Sequence, residues 1–546
     1  MILLRNNLAI SALIFIGLEI WRPCFFLTDD NLTGGYPLFM EMGNHLLSGR
    51  SPFISDYLFG GNYNLLRDLT FFCWHPVYLL ASLLAGTPFH FLMIEVDAFV
   101  MIMVGTAGFV SLADYLRREM PLDLTDDWAT FYCQSFSYSM IALATGASWL
   151  NFLGNQSAMP WLALGILQKT WHRGVGLVTL FSLHQILGGH PSPTLSTTLF
   201  FTLFALGVSV CRRSIRPLAW WVIGSGAALL ILSPLFFPVL EGFLDSTRSQ
   251  GVAVWDMQTN RMPFPLFPTS LFFGMALWIV HPPAHPHATY LLALGSCAAA
   301  WCVIPAFTGR SPWRGLEIVS LALTIFGIFI VCRPSWMAQI MTHLPLLRSM
   351  RWPFRELLQF QFFFHLFLLV RPSGSTMPFR RRIAVFSAGL FVIPMLLNVQ
   401  PPTFSAMTWD RELLFSGDLG RYWDRVRPLL KPADRVAVLI PYKLYIDTRF
   451  ERPNGLLTTG NFSILTRVVN VSGYSLTAPR DQLYVKTRPL FPNGAYDITQ
   501  KEALMNERPD IKFITLESLR PLKITLSSRD SATIDLTPYV PAYSSN

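Results

Sequence analysis

TDDNLTGGYPLFMEMGNHLLSGRSPF, residues 28–53, decides how this chain is read. It follows directly on an apolar run, 8–27, of the length that crosses about 30 Å of hydrocarbon. Asp29 and Asp30 therefore stand where a membrane helix leaves the bilayer. The stretch continues as ISDYLFGGNYNLLRDLTFFCWHP, 54–76. It is too long for a simple turn and too apolar for disorder. The Gly-Gly pairs at 34–35 and 60–61 predict sharp turns. Between them, 37–48 reads as a short helix, with Leu38, Met42, Leu46 and Leu47 on one side and Glu41, Asn44 and His45 elsewhere. The expectation is a folded cap on the membrane surface, with an acidic pair at its root.

The rest of the 546 residues fits a membrane setting. Hydrophobic residues make up 52% and charged residues only 14%, against about 25% in soluble domains. The net charge of +9 is scattered through short links between apolar runs rather than gathered on a face. Arg117 with Arg118, Lys169 with Arg173, Arg212 with Arg213 and Arg216, Arg310 with Arg314, and Arg380 to Arg382 form these links. This is the positive-inside pattern, and it argues against a nucleic-acid partner. The seven cysteines show no metal-ligand spacing.

Placing the basic links inside predicts about eleven spans, with the N-terminus in the cytoplasm. They fall near 8–27, 90–115, 129–148, 157–170, 174–188, 194–211, 217–240, 288–307, 315–332, 357–371 and 383–399. The run 71–85 is short for a span and reads as a juxtamembrane helix. The predicted domains are a transmembrane module, 1–399, with an extracytoplasmic first loop, 28–89, and a soluble α+β domain, 400–546, outside the membrane. In that tail, 435–442 (RVAVLIPY) and 511–516 read as buried strands, 522–536 as a hairpin and 502–506 as a helix.

Charged side chains beside membrane spans are expensive, which makes each one a candidate. Asp29 and Asp30 suit either helix capping or general-base chemistry. LGGHPSP, 187–193, predicts a tight outer turn carrying His190, able to bind a phosphate or donate a proton. EGFLDSTR, 241–248, suggests an acid–base pair on a helix. LPLLRSMRWPFRE, 344–356, places Arg348, Arg351 and Arg355 on one possible helical face, interrupted by Pro353. Guanidinium forks match phosphate well, and anionic lipid head groups are the other partner such arginines find. A carboxylate and an arginine cluster at one membrane surface together suit glycosyl transfer from a lipid phosphate sugar.

These motifs resemble those of the bacterial YfhO-like membrane proteins, within the GT-C class of polyprenyl-phosphate-dependent glycosyltransferases. The similar segments are the acid after the first span, Tyr36-Pro37, LLSGRSPF at 46–53, FGGN at 59–62, Asp68 and HPVYLL at 75–80. LGGHP at 187–191, MPWLALGIL at 159–167, PVLEGFLDSTR at 238–248, LPLLRSMRWPFR at 344–355 and NFSILTRVVNVSGYSLTAPR at 461–480 add to them. The resemblance implies a GT-C-like fold and a catalytic base at Asp29 or Asp30. It also implies an undecaprenyl-phosphate-type sugar donor and a cell-envelope acceptor at the bacterial cytoplasmic membrane. Tyr36, Asp68, His190, Arg348, Arg351 and Arg355 are the expected substrate-binding residues. No cofactor is expected; some members of the class use a divalent metal, and no metal cluster shows in the sequence. The other readings are a lipid-linked saccharide transporter or flippase and a non-catalytic scaffold for envelope assembly. A transporter predicts internal repeats and broken or charged helices at the midplane.

Overall fold

The computed structural model describes residues 2–28, 30–67, 74–119, 126–244, 254–258, 314–344, 347, 353–370, 413–444, 454–471, 495–519, 521–528 and 533–539. Among them, five helices are long and apolar enough to cross a membrane: Ile2–Trp21, His90–Glu119, Pro191–Cys211, Arg216–Leu244 and Arg314–Cys332. Their outward side chains are apolar as well. Ile20 is 78% exposed and Leu230 76% exposed, which suits contact with lipid tails rather than water. The chain is a helical membrane protein with a sheet near its C-terminus. The expected spans at 288–307 and 383–399 lie outside the described residues.

Contacts between residues divide the chain into two compact units. The first, helical unit holds 1–26, 96–236 and 250–403. The second holds 27–95, 237–249 and 404–546. The sequence division at residue 400 grouped the first loop with the membrane module; the contacts group it with the tail instead.

In the helical unit, Asn151–Leu167 and Trp171–Gly188 lie side by side at very short range. A Cβ on Gly154 would stand 2.2 Å from the Gly188 carbonyl oxygen, so only glycine permits this approach. The helix Leu357–Val370 is buried on every side and packs against Arg314–Cys332. Its aromatic rings interleave with those of Pro191–Cys211, as where Phe200 and Phe363 stack at 5.8 Å. A helix this largely apolar belongs inside such a bundle.

Two expectations are corrected here. The first helix runs Ile2–Trp21, earlier than the predicted 8–27. The single span expected near 129–148 is two helices, Asp126–Ser137 and Met140–Ser148, broken at Tyr138 and Ser139. Backbone groups freed by a break in an apolar setting need new partners. Ser139 Oγ accepts from the Ala142 N–H at 3.1 Å, and Gln156 Nε2 donates to the Phe136 carbonyl at 2.7 Å. Ser11, Thr106 and Ser137 link three helices through hydroxyl contacts of 3.0 Å.

In the second unit, residues 31–35 form a wide π-helical turn that runs directly into the helix Tyr36–Leu47. Gly34 and Gly35 thus extend a helix where a sharp turn was expected. Gly60 and Gly61 do make a turn, with φ of +85° and +89°. They lie between β1 (Ile54–Ser55) and β2 (Tyr63–Asn64), an antiparallel pair. Tyr36–Leu47 packs on Pro76–Ser82, the expected juxtamembrane helix. A Cβ on Gly43 would fall 1.8 Å from the Ser82 carbonyl oxygen.

The tail contributes β3 (Arg435–Ile440), β4 (Val469–Asn470), β5 (Tyr496–Asp497), β6 (Ile511–Leu519), β7 (Leu522–Ser527) and β8 (Ile534–Asp535). β3 pairs in parallel with β4, β5 and β6; β6–β7 and β7–β8 are antiparallel. Buried on both faces, β3 shows a continuous apolar run from Val436 to Ile440. The loop and the tail share main-chain hydrogen bonds. Asn461 N–H donates to Thr33 O at 2.9 Å, Asn470 N–H to Tyr57 O at 2.9 Å and Gly60 N–H to Asn470 O at 2.8 Å. Loop and tail therefore belong to one folded unit.

Candidate functional site

Two polar clusters stand out, one in each unit. In the helical unit the cluster forms where Pro191–Cys211 begins. His190 is the N-cap of that helix: its Nδ1 accepts from the Ser192 N–H at 3.2 Å, and Pro191 follows at the first helical position. The His190 N–H donates to Asn155 Oδ1 at 2.7 Å, which fixes the turn on the helix Asn151–Leu167. His190 is buried, not on an open loop. With Nδ1 accepting, the neutral ring carries its proton on Nε2, a donor.

Arg355 lies in the short 3₁₀ turn Pro353–Glu356. Arg355 points inward, only 5% exposed. Its guanidinium carbon is 5.4 Å from the Trp149 ring centroid and 5.9 Å from that of Phe152. The His190 ring lies 5.1 Å from the same Phe152 ring. Two expected ligand residues, far apart in sequence, thus flank one aromatic ring. Glu356, fully buried, accepts from Ser196 Oγ. Gln359 Nε2 donates to Thr197 Oγ1 at 2.8 Å. The result is a polar seam inside an apolar bundle.

The remaining expected residues stand differently. Asp29, Asp68, Arg348 and Arg351 lie outside the described residues. Asp30 is half-buried at the N-cap of the π-helical turn, and its side chain makes no capping hydrogen bond. Tyr36 is buried and shares a 2.6 Å hydrogen bond between its hydroxyl and His90 Nδ1. Glu241 faces Arg67 at 3.6 Å; the rest of the acid–base segment expected with it, from 245 on, lies outside the described residues.

The cluster in the second unit gathers Glu41, His45 and Asp56. Glu41 and His45 are one helical turn apart on Tyr36–Leu47, and Asp56 follows β1. One ligand atom from each lies within 4.8 Å of the other two. Burial pushes the Glu41 carboxyl up to about 7. Arg50 Nη1 contacts Asp56 Oδ2 at 2.8 Å.

Comparison with protein-family models, with curated proteins and with solved structures finds no match.

Sequence reasoning missed the Glu41–His45–Asp56 cluster. The signal was present, since an acid and a histidine at i, i+4 share a helix face. Asp56 joins them only through the fold of the loop. Glu356 was also passed over, because beside Arg355 it reads as a local ion pair rather than a buried acid.

Proposed function

We propose that the protein is a membrane glycosyltransferase of the YfhO-like, GT-C kind. It would move a sugar from an undecaprenyl-phosphate-type carrier to a cell-envelope acceptor outside the bacterial cytoplasmic membrane. The observation that carries this reading is the convergence of His190 and Arg355 on the Phe152 ring inside an apolar helical bundle. Ionisable side chains in such a setting mark ligand paths by default. A guanidinium and an imidazole N–H are suited to a lipid-borne phosphate, and the bundle's aromatic lining to the polyprenyl chain. The resemblance implies a base at Asp29 or Asp30.

In the proposed step the base takes the acceptor hydroxyl proton. The acceptor oxygen bonds to the anomeric carbon as the bond from that carbon to the phosphate oxygen breaks. The lipid phosphate leaves with the bonding pair. The base then releases its proton to water.

The test uses the full chain in lipid nanodiscs with an undecaprenyl-phosphate sugar and envelope glycans. Release of undecaprenyl phosphate is expected, and it should fall in Arg355→Gln and recover in part in Arg355→Lys. Absence of release, or equal release by all three proteins, overturns the reading.

One observation favours a transporter as the second reading. The helix broken at Tyr138 and Ser139 beside buried polar residues is a device transporters use. In sealed vesicles a transporter moves the intact lipid-linked saccharide between leaflets with no loss of the sugar–phosphate bond.

A further inference from the structure

Glu41, His45 and Asp56 hold three different donor groups at one point of the loop–tail unit. His45 Nδ1 donates to the Ser51 carbonyl at 2.9 Å. That bond fixes the ring and turns Nε2 towards Asp56. Nε2 faces Asp56 Oδ2 at 3.2 Å. An imidazole oriented by a carbonyl on its far nitrogen is the usual arrangement of a metal-ligating histidine. Glu41 is 3% exposed; its Oε1 accepts from the Asp56 N–H at 2.7 Å, the Ser55 hydroxyl lies beside the carboxylate, and Oε2 is buried with no hydrogen bond within 3.5 Å among the described residues. A buried carboxylate oxygen left in this state is costly unless a cation or proton meets it.

We propose that Glu41, His45 and Asp56 form a binding site for a divalent metal ion of the zinc type. One nitrogen and two carboxylate ligands suit Zn²⁺, with water completing a tetrahedral shell. Ligand arms of about 2.0–2.2 Å bring donor atoms to roughly 3.3 Å from one another. Closing from the present 4.8 Å spread takes only side-chain motion, and Asp56, with its side chain 41% exposed, is free to make it. Arg50, 55% exposed, sits on the same Asp56 oxygen and is displaced outward as the ion enters. The ion pins the C-terminal end of Tyr36–Leu47 to β1, which fixes the chain reversal at 48–55. The site is independent of the glycosyltransferase reading.

The experiment titrates Zn²⁺ alone into the chelator-treated full chain in detergent, followed by calorimetry and by thermal unfolding. Saturable binding of one ion with a rise in Tm is expected. Asp56→Asn and His45→Gln should each weaken it by about 10–100-fold, the usual loss for a disrupted metal site. Arg50→Gln, which removes a competing cation from an exposed position, should tighten it. Asp56 and Arg50 are exposed enough that their variants fold even if His45→Gln does not. Absence of saturable binding overturns the proposal, and so does equal affinity in the wild type, Asp56→Asn and Arg50→Gln.

Discussion

In the helical unit, Arg355 and Glu356 are 5% and 0% exposed, set among aromatic rings and the first turn of a helix. In the loop–tail unit, Arg50 and Asp56 pair at 2.8 Å with side chains 55% and 41% exposed. The same residue types therefore meet two different dielectrics. Water screens the second pair, which is worth about 0–1 kcal/mol and can rearrange at little cost. Little water reaches Arg355 and Glu356, where any charge must be met by fixed partners. The loop–tail cluster is built to exchange partners, while the helical seam is built to hold a geometry.

The largest effect that bears on this contrast concerns chemistry. Asp30→Asn keeps the size of the side chain and removes its proton acceptor. If Asp30 is the base, sugar transfer falls by about 10²–10⁴-fold while unfolding changes little. Full activity in the Asp29→Asn, Asp30→Asn double variant would place the chemistry outside this acid pair and break the assignment of the base to the loop–tail unit.

A pH titration of stability comes next. His75 caps the helix Pro76–Ser82 through Nδ1, as His190 caps its own, and burial pushes its ring down to about 4. The unfolded ring titrates near 6.5, so between about 6.5 and 4 the unfolded chain binds a proton that the folded one does not. Stability is full above about pH 6.5 and falls on acidification, by up to roughly 3 kcal/mol at pH 4. Chemical unfolding of His75→Asn, which still caps, should lack that share of the slope. An unchanged slope would show that the ring is accessible to protons in the folded state.

Gly43→Ala and Gly154→Ala set the two units side by side. Each forces a Cβ against a backbone carbonyl, at 1.8 Å and 2.2 Å, and each should cost about 1–3 kcal/mol or more. Limited proteolysis should show the first loosening the loop–tail unit and the second the helical unit. Cleavage of both units in both variants would mean that they unfold as one.

The smallest effect is a gain. Asp97 is fully buried in the helical unit, and neither carboxylate oxygen has a hydrogen-bond partner among the described residues. Asp97→Asn removes the demand for a buried charge and should raise stability by about 1 kcal/mol. A loss of stability in thermal unfolding would reveal a cation facing Asp97.

Much of the architecture was legible because hydrophobicity is written locally. The helices Pro191–Cys211 and Arg314–Cys332 match the predicted 194–211 and 315–332 to within a few residues. The strand Arg435–Ile440 and the hairpin begun by Leu522–Ser527 were visible in the same way. The break at Tyr138–Ser139 was not, because its apolar flanks read as one span and the partners of its freed backbone groups include Gln156, from another helix. The sequence showed that Pro353 interrupts the arginine segment, but not that Arg355 lies against Trp149 and Phe152, because that contact is made across the fold.

By itself the sequence determined that this is a helical membrane protein with a folded first loop and a sheet-bearing tail. Apolar run length, strand alternation and turn residues act between neighbours, and the chain order carries them. Only the tertiary structure decided which distant residues meet. It joined loop and tail through Asn461 and Asn470, set His190 and Arg355 about one ring, and brought Asp56 to Glu41 and His45. Hydrogen bonds, ring contacts and ion pairs act over a few ångströms in space whatever the separation along the chain, so no local pattern records them.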